Sequence, residues 1–209
     1  MLYLLTLMGL AAESAFVGSN DDDEIIGTTN DDIVRSGRGD NLIEGRGGDD
    51  NLEGGNGNDT LRGEGGSDRI FDGAGNDISR GGAGNDIMES ADGFDGFDRL
   101  YGETGNDTLS GGVGDLLDGG TESDDFVADL TMSSQFSEAN ITDFNRSEDQ
   151  LVIVSDQDIV FEDLSFNFEG RTGDTEVWLG DVDIGQQVAR LQNVSNVSGG
   201  MFAFVNASL

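Results

Sequence analysis

The chain has 209 residues, with 43 acidic side chains against 10 basic ones, all of them arginine, for a net charge of −33. Phosphate backbones and anionic bilayer surfaces would be repelled rather than neutralised, which excludes nucleic acid as a partner. With no cysteine and no histidine, disulfide frameworks, thiolate metal sites, histidine triads and HExxH zinc centres are excluded too.

Residues 1–17, MLYLLTLMGLAAESAFV, form an apolar segment. The run is short for a membrane span and contains Glu13. It also lacks the basic stretch that opens a secretory signal. A short helix capping an open solenoid end, or an uncleaved anchor, is expected here ahead of a cleaved signal.

From Gly18 the sequence divides into nonapeptides without a gap as far as Glu89. They read GSNDDDEII, GTTNDDIVR, SGRGDNLIE, GRGGDDNLE, GGNGNDTLR, GEGGSDRIF, DGAGNDISR and GGAGNDIME. A twelve-residue unit follows, SADGFDGFDRLY, then GETGNDTLS, the eight-residue GGVGDLLD, and GGTESDDFV ending at Val127. This stretch holds 27 of the 34 glycines, and the composition changes at residue 127, where a domain boundary is placed.

The spacing has a physical reading. Glycine tolerates positive φ, so positions one to six permit a tight turn with inward carbonyls, closed by a sixth-position aspartate. Carbonyl and carboxylate oxygens suit a hard cation such as Ca2+. Positions seven to nine predict a short strand whose eighth side chain points inward: Ile25, Val34, Ile43, Leu52, Leu61, Ile70, Met88, Leu100, Leu109, Leu117 and Phe126. Ser79 alone breaks that column.

So short a strand is worth little by itself, and the units must stack. Two units make one coil, so alternate repeats lie above one another along two opposite edges. One edge carries Asp32, Asp50, Asp68, Asp86, Asp107 and Asp124. The other carries Asp23, Asn41, Asp59, Asp77, Asp98 and Asp115.

GGNGNDTLR and GGAGNDIME match GGxGxDxUx, and the repeat region resembles the RTX, or hemolysin-type, calcium-binding family. The resemblance implies an all-β, right-handed parallel β-roll over residues 18–127, binding several Ca2+ ions between successive turns. Carried over, the carboxylate ligands are Asp32, Asp50, Asp59, Asp68, Asp77, Asp86, Asp98, Asp107, Asp115 and Asp124. Carbonyls near Gly45, Gly47, Gly54, Gly57, Gly63, Gly65, Gly73, Gly75, Gly82 and Gly84 join them. Departures fall at Asn41, in the first two units without the glycine pair, at the twelve-residue unit, which is expected to bulge or to lose an ion, and at the shortened one beside Asp115. Without calcium, like charges a strand spacing of about 4.8 Å apart should keep the chain unfolded.

Residues 128–209 are expected to form a β-rich cap. Its candidate strands are ANITDF, DQLVIV, LSFNF, TEVWLG, VARLQNV and MFAFV, with Trp178 in the cap core. The passage SDDFVADL…NITDFNRSEDQLVIV resembles the ends of serralysin-type proteases and mannuronan epimerase R-modules. There an F-V strand closes the roll and an I-x-D-F…D-x-L hairpin opens the cap. The ending GGMFAFVNASL is equally compatible with a last cap strand and with an uncleaved type I secretion signal.

Function is read from these residues as a calcium-binding secreted or cell-surface protein that folds on binding Ca2+ outside the cell, in a structural or adhesive role. It is not read as an enzyme, since calcium accounts for the placement of the carboxylates. The alternative is a calcium-dependent polysaccharide-binding accessory module, with an extracellular glycan or surface as partner. Calcium and the type I secretion apparatus are the other partners implied.

Overall fold

The computed structural model describes residues 3–5, 14–90, 96–129, 139–155, 164–169, 174–179, 186–192, 194 and 201–206. Every regular element in them is a strand, apart from a single 3-10 position at Met201. Among them no helix is long and apolar enough to cross a membrane.

The nonapeptide period is laid down as two parallel sheets facing one another. Odd strands β3 (Asp23–Ile26), β5 (Leu42–Gly47), β7 (Thr60–Gly65), β9 (Ile78–Ala83), β11 (Arg99–Thr104) and β13 (Leu116–Asp118) stack in one sheet. Even strands β4 (Asp32–Arg38), β6 (Asn51–Asn56), β8 (Arg69–Ala74), β10 (Ile87–Glu89), β12 (Thr108–Ser110) and β14 (Asp125–Asp129) stack in the other. In register, Ile43 lies beside Leu61 and Leu52 beside Ile70, eighteen residues apart.

The strands are longer than the sequence reading expects, because they run on into the next unit. Side chains alternate across a strand, so the inward eighth position is followed, two residues later, by an inward first position. The eighth-position column is fully buried from Ile25 to Phe126. It packs into a core one residue deep per sheet, with glycine at most first positions. Ninth-position side chains face out, where Arg35 pairs with Glu53 and Arg62 with Glu44, both at 2.9 Å. These exposed cross-strand pairs are worth about 0–1 kcal/mol each.

The irregular units leave the register intact. Across the twelve-residue unit β11 still pairs with β9, and β12 with β10. The bulge expected there falls on residues 91–95, outside the described residues.

Both ends differ from expectation. The helix expected within residues 1–17 is replaced, among the described residues, by β1 (Tyr3–Leu5) and β2 (Ser14–Val17). They pair in parallel with β3 and β4 and lengthen the stack at that end, with Phe16 buried. Covering the first coil with more of the same backbone satisfies its ladder groups, which a helix would not do.

Past residue 127 the same two sheets gain further strands among the described residues. β15 (Ala139–Ile141) pairs with β13, and β16 (Gln150–Ser155) with β14, both parallel. β15 and β16 therefore lie in different sheets and form no hairpin; they are one further coil. β20 (Phe202–Asn206) adds to β16. The antiparallel β17 (Leu164–Glu169), β18 (Asp174–Leu179) and β19 (Gln186–Leu191) close the other sheet against β15. The side chain of Trp178 lies outside the described residues.

Candidate metal centre

The sixth-position residues are drawn into two buried ladders. On one edge the backbone N–H of Asp32 donates to Asp50 Oδ1 at 2.8 Å, Asp50 to Asp68 at 2.7 Å, Asp68 to Asp86 at 2.7 Å, Asp86 to Asp107 at 2.8 Å, and Asp107 to Asp124 at 2.9 Å. On the other edge Asp23 donates to Asn41, Asn41 to Asp59, Asp59 to Asp77, Asp77 to Asp98, and Asp98 to Asp115, between 2.6 and 2.9 Å. The two columns that the period predicts are thus assembled. None of these side chains is more than 3% exposed.

Each ladder uses one carboxylate oxygen. The second oxygen of Asp50, Asp59, Asp68, Asp86 and Asp107 is buried with no hydrogen-bond partner. In the irregular units it is occupied instead. Thr28 N–H donates to Asp32 Oδ2 at 2.6 Å, Gly112 N–H to Asp115 Oδ2 at 2.6 Å, and Ser90 Oγ to Asp98 Oδ2 at 2.6 Å. The regular glycine turns therefore hold bare, inward second oxygens; at the start of the stack Asp23 keeps a bare Oδ1 instead, while its Oδ2 accepts the N–H of Ser19 at 2.6 Å.

Stranding those oxygens has an electrostatic cost. Burial is the main cause that pushes the carboxyls of Asp50 and Asp107 up to about 7, and of Asp68, Asp86 and Asp124 up to about 6, from 3.8. The ladder N–H pulls each one back, while neighbouring carboxylates raise it further. Asp59 is raised for the same reason. Buried anionic oxygens without donors are what a hard divalent cation replaces. The residues present fit Ca2+.

The glycines have two separate jobs. Second and fourth positions lie at positive φ, among them Gly57 (132°), Gly73 (108°), Gly75 (144°), Gly82 (117°) and Gly84 (134°). Arg46, Glu64, Glu103 and Glu122 hold the same conformation without being glycine. First-position Gly45, Gly54 and Gly63 are ordinary in φ but crowded: a Cβ on Gly54 would stand 2.7 Å from Asp59 Oδ2. Gly47 and Gly65 have neither constraint.

Two features escape the sequence reading. Fifth-position side chains build an outer ladder in the opposite sense, each accepting an N–H from the coil that follows: Asp40 N–H to Asp22, Asn58 to Asp40, Asn76 to Asn58, and Ser67 to Asp49. The recurring short polar residue at that position is its signal. Residues 144–152, FNRSEDQLV, also form a further unit: Asp149 Oδ1 accepts the N–H of Asp124 at 3.1 Å, and Leu151 is buried. Its signal is an aspartate followed two residues later by a core apolar residue.

Residues 17–52, 53–88 and 92–126 match the family described as RTX calcium-binding nonapeptide repeat (4 copies). The chain belongs to that family. Among curated proteins no relative matches this RTX chain. Two solved structures are similar to it. One is the extracellular lipase LipA from Serratia marcescens, with 17% identity and a TM-score of 0.31, covering 94% of this chain and 40% of the lipase. The other is the AlgE6R3 subunit of the Azotobacter vinelandii mannuronan C5-epimerase, with 21% identity and a TM-score of 0.29, covering 91% of this chain and 81% of that one. The RTX chain thus spans less than half the length of the lipase.

Proposed function

We propose that this chain is a calcium-gated structural module, secreted or held at the cell surface, whose roll forms once Ca2+ neutralises its carboxylate edges. The observation that carries this reading is the set of buried, partnerless oxygens on Asp50, Asp59, Asp68, Asp86 and Asp107. These residues, with Asp32, Asp77, Asp98, Asp115 and Asp124 beside them and the glycine carbonyls of the same turns, would hold the ions. Bound calcium supplies the positive charge that a chain of net −33 lacks.

Ions that bind only the folded form turn binding energy into folding energy. Extracellular calcium modules typically have dissociation constants of about 10⁻⁴–10⁻³ M. Sites of that strength stay empty in a low-calcium cytoplasm, leaving an unfolded chain suited to export through a type I channel. Outside, several coupled sites make folding steep in calcium. The chain offers no histidine or cysteine for general acid–base or nucleophilic chemistry, which supports a non-enzymatic role.

The test is far-ultraviolet circular dichroism of the full chain, first in chelator and then through millimolar calcium. A coil spectrum that converts cooperatively to strand is expected. A strand spectrum indifferent to chelator would overturn the reading.

A further inference from the structure

The seventh repeat, DGAGNDISR, breaks the nonapeptide rule twice, and both breaks point into the same space. Asp72 stands where most units carry glycine, and Ser79 where the others carry a large apolar residue. Both side chains are 1% exposed. First and eighth positions of a unit both point into the roll, and in the shortened unit a Cβ on Gly111 would come 2.9 Å from Leu117 Cδ2. Ser79 thus puts a small hydroxyl side chain into the interior where other coils place a large apolar one.

Asp72 Oδ1 accepts the N–H of Gly73 at 2.8 Å. Its Oδ2, and Ser79 Oγ, are buried with no hydrogen-bond partner. Carboxylate oxygens of Asp72, Asp77 and Asp98 lie within 4.8 Å of one another, all buried. Oxygens no farther apart than that can share one ion at a calcium–oxygen distance of roughly 2.4 Å. Ser90, next to Asp72 in the sheet register, places its Oγ 2.6 Å from Asp98 Oδ2 and 3.1 Å from Asp115 Oδ2.

We infer that Asp72, Asp77 and Asp98 hold one additional Ca2+ inside the roll, bound by side-chain oxygens, with Ser79 Oγ turned to the same ion. The turn sites rely on glycine carbonyls and sixth-position aspartates; this site adds a carboxylate from a first position and so occurs once. A buried hydroxyl and a buried carboxylate oxygen, neither with a hydrogen-bond partner, are costly unless a cation or donor satisfies them. Calcium, rather than magnesium, suits a buried ring of protein carboxylates, since magnesium usually keeps several of its waters. The inference rests on the calcium-loaded roll proposed above.

The experiment counts ions per full chain by equilibrium dialysis with elemental analysis at saturating calcium, and records the calcium midpoint of folding. Asp72→Asn, and the pair Asp72→Gly with Ser79→Leu that restores the usual repeat, should each bind one ion fewer than the parent. Asp72→Asn should also raise the midpoint, even beyond the accessible range. An unchanged count, or a midpoint lowered because a bare acidic cluster has been relieved, would overturn the inference alone. A parent chain that binds no calcium would overturn the turn reading and this site together. A count of one that falls to zero in Asp72→Asn would uphold this site and sink the turn sites.

Discussion

Asp68 Oδ1 accepts the backbone N–H of Asp50 at 2.7 Å, while Asp68 Oδ2 is buried without a partner. The two oxygens of one carboxylate thus differ: one joins coils eighteen residues apart, and the other, bare, is the one proposed above to meet an ion. The two tasks are separable by mutation.

Asp68→Asn keeps an Oδ1 acceptor for Asp50 but puts an amide donor where the ion would bind. Asn41 already makes that exchange in the opposite ladder, its Oδ1 accepting from Asp23 and its Nδ2 donating to Gly39 O at 2.9 Å. The variant should reach the same strand signal at saturating calcium. Its calcium midpoint should rise about tenfold, on the order of 1.4 kcal/mol. Dichroism against calcium concentration measures both.

Gly63→Ala and Gly65→Ala separate crowding from backbone freedom, since neither glycine has positive φ. A Cβ on Gly63 would stand 2.7 Å from Gly81 O and closer still to Asp68 Oδ2. One on Gly65 meets nothing nearer than Arg46 O at 3.8 Å. Urea unfolding at saturating calcium should show a loss of about 1–3 kcal/mol for the first. The second should fall within about 0.5 kcal/mol of the parent.

Acid should partly replace calcium. In the metal-free roll Asp50 and Asp107 titrate at about 7, and Asp68, Asp86 and Asp124 at about 6, against 3.8 when unfolded. A carboxyl raised by folding stabilises the fold fully below its unfolded value, and that contribution is lost as pH rises through the folded value. In chelator, acidification from about pH 7.5 toward 4 should therefore bring in strand signal. A flat dichroism trace over that window would count against the burial of these groups.

Asn58→Ala tests the outer ladder on its own. Asn58 Oδ1 accepts both the N–H and the side-chain amide of Asn76, at 3.0 and 3.1 Å. These bonds are exposed, so their loss should cost about 1 kcal/mol in urea unfolding. Dialysis should find the ion count unchanged.

What could be read beforehand was whatever repeats with a single meaning. The eighth-position apolar column and both aspartate columns follow from the period, because no other spacing buries Leu61 and stacks Asp59 below Asp77. The outer ladder was hidden because Asn, Asp and Ser at fifth positions are also what any exposed turn prefers. Phe144–Val152 was hidden because its turn, FNRSED, carries no glycine at all. Asp72 was hidden because one acidic first position, like the one serine at an eighth position, carries no meaning by itself in a repeat read for what recurs. At residues 1–17 apolar content alone leaves a capping helix, an anchor and a signal open, and it does not announce β1 and β2, which follow the pairing of the coils beside them.

A stack in which every coil offers the same groups has a hazard of its own. Sliding the chain by eighteen residues would restore most ladder bonds and return a leucine-like side chain to most core positions. Only the exceptions object. Such a slip would drive Asp72 into the place of Gly54 or Ser90, and the twelve- and eight-residue units would bring their extra or missing residues into the wrong turns. The faults in the repeat serve as alignment keys, giving each coil one correct neighbour in a structure whose chemistry would otherwise accept several.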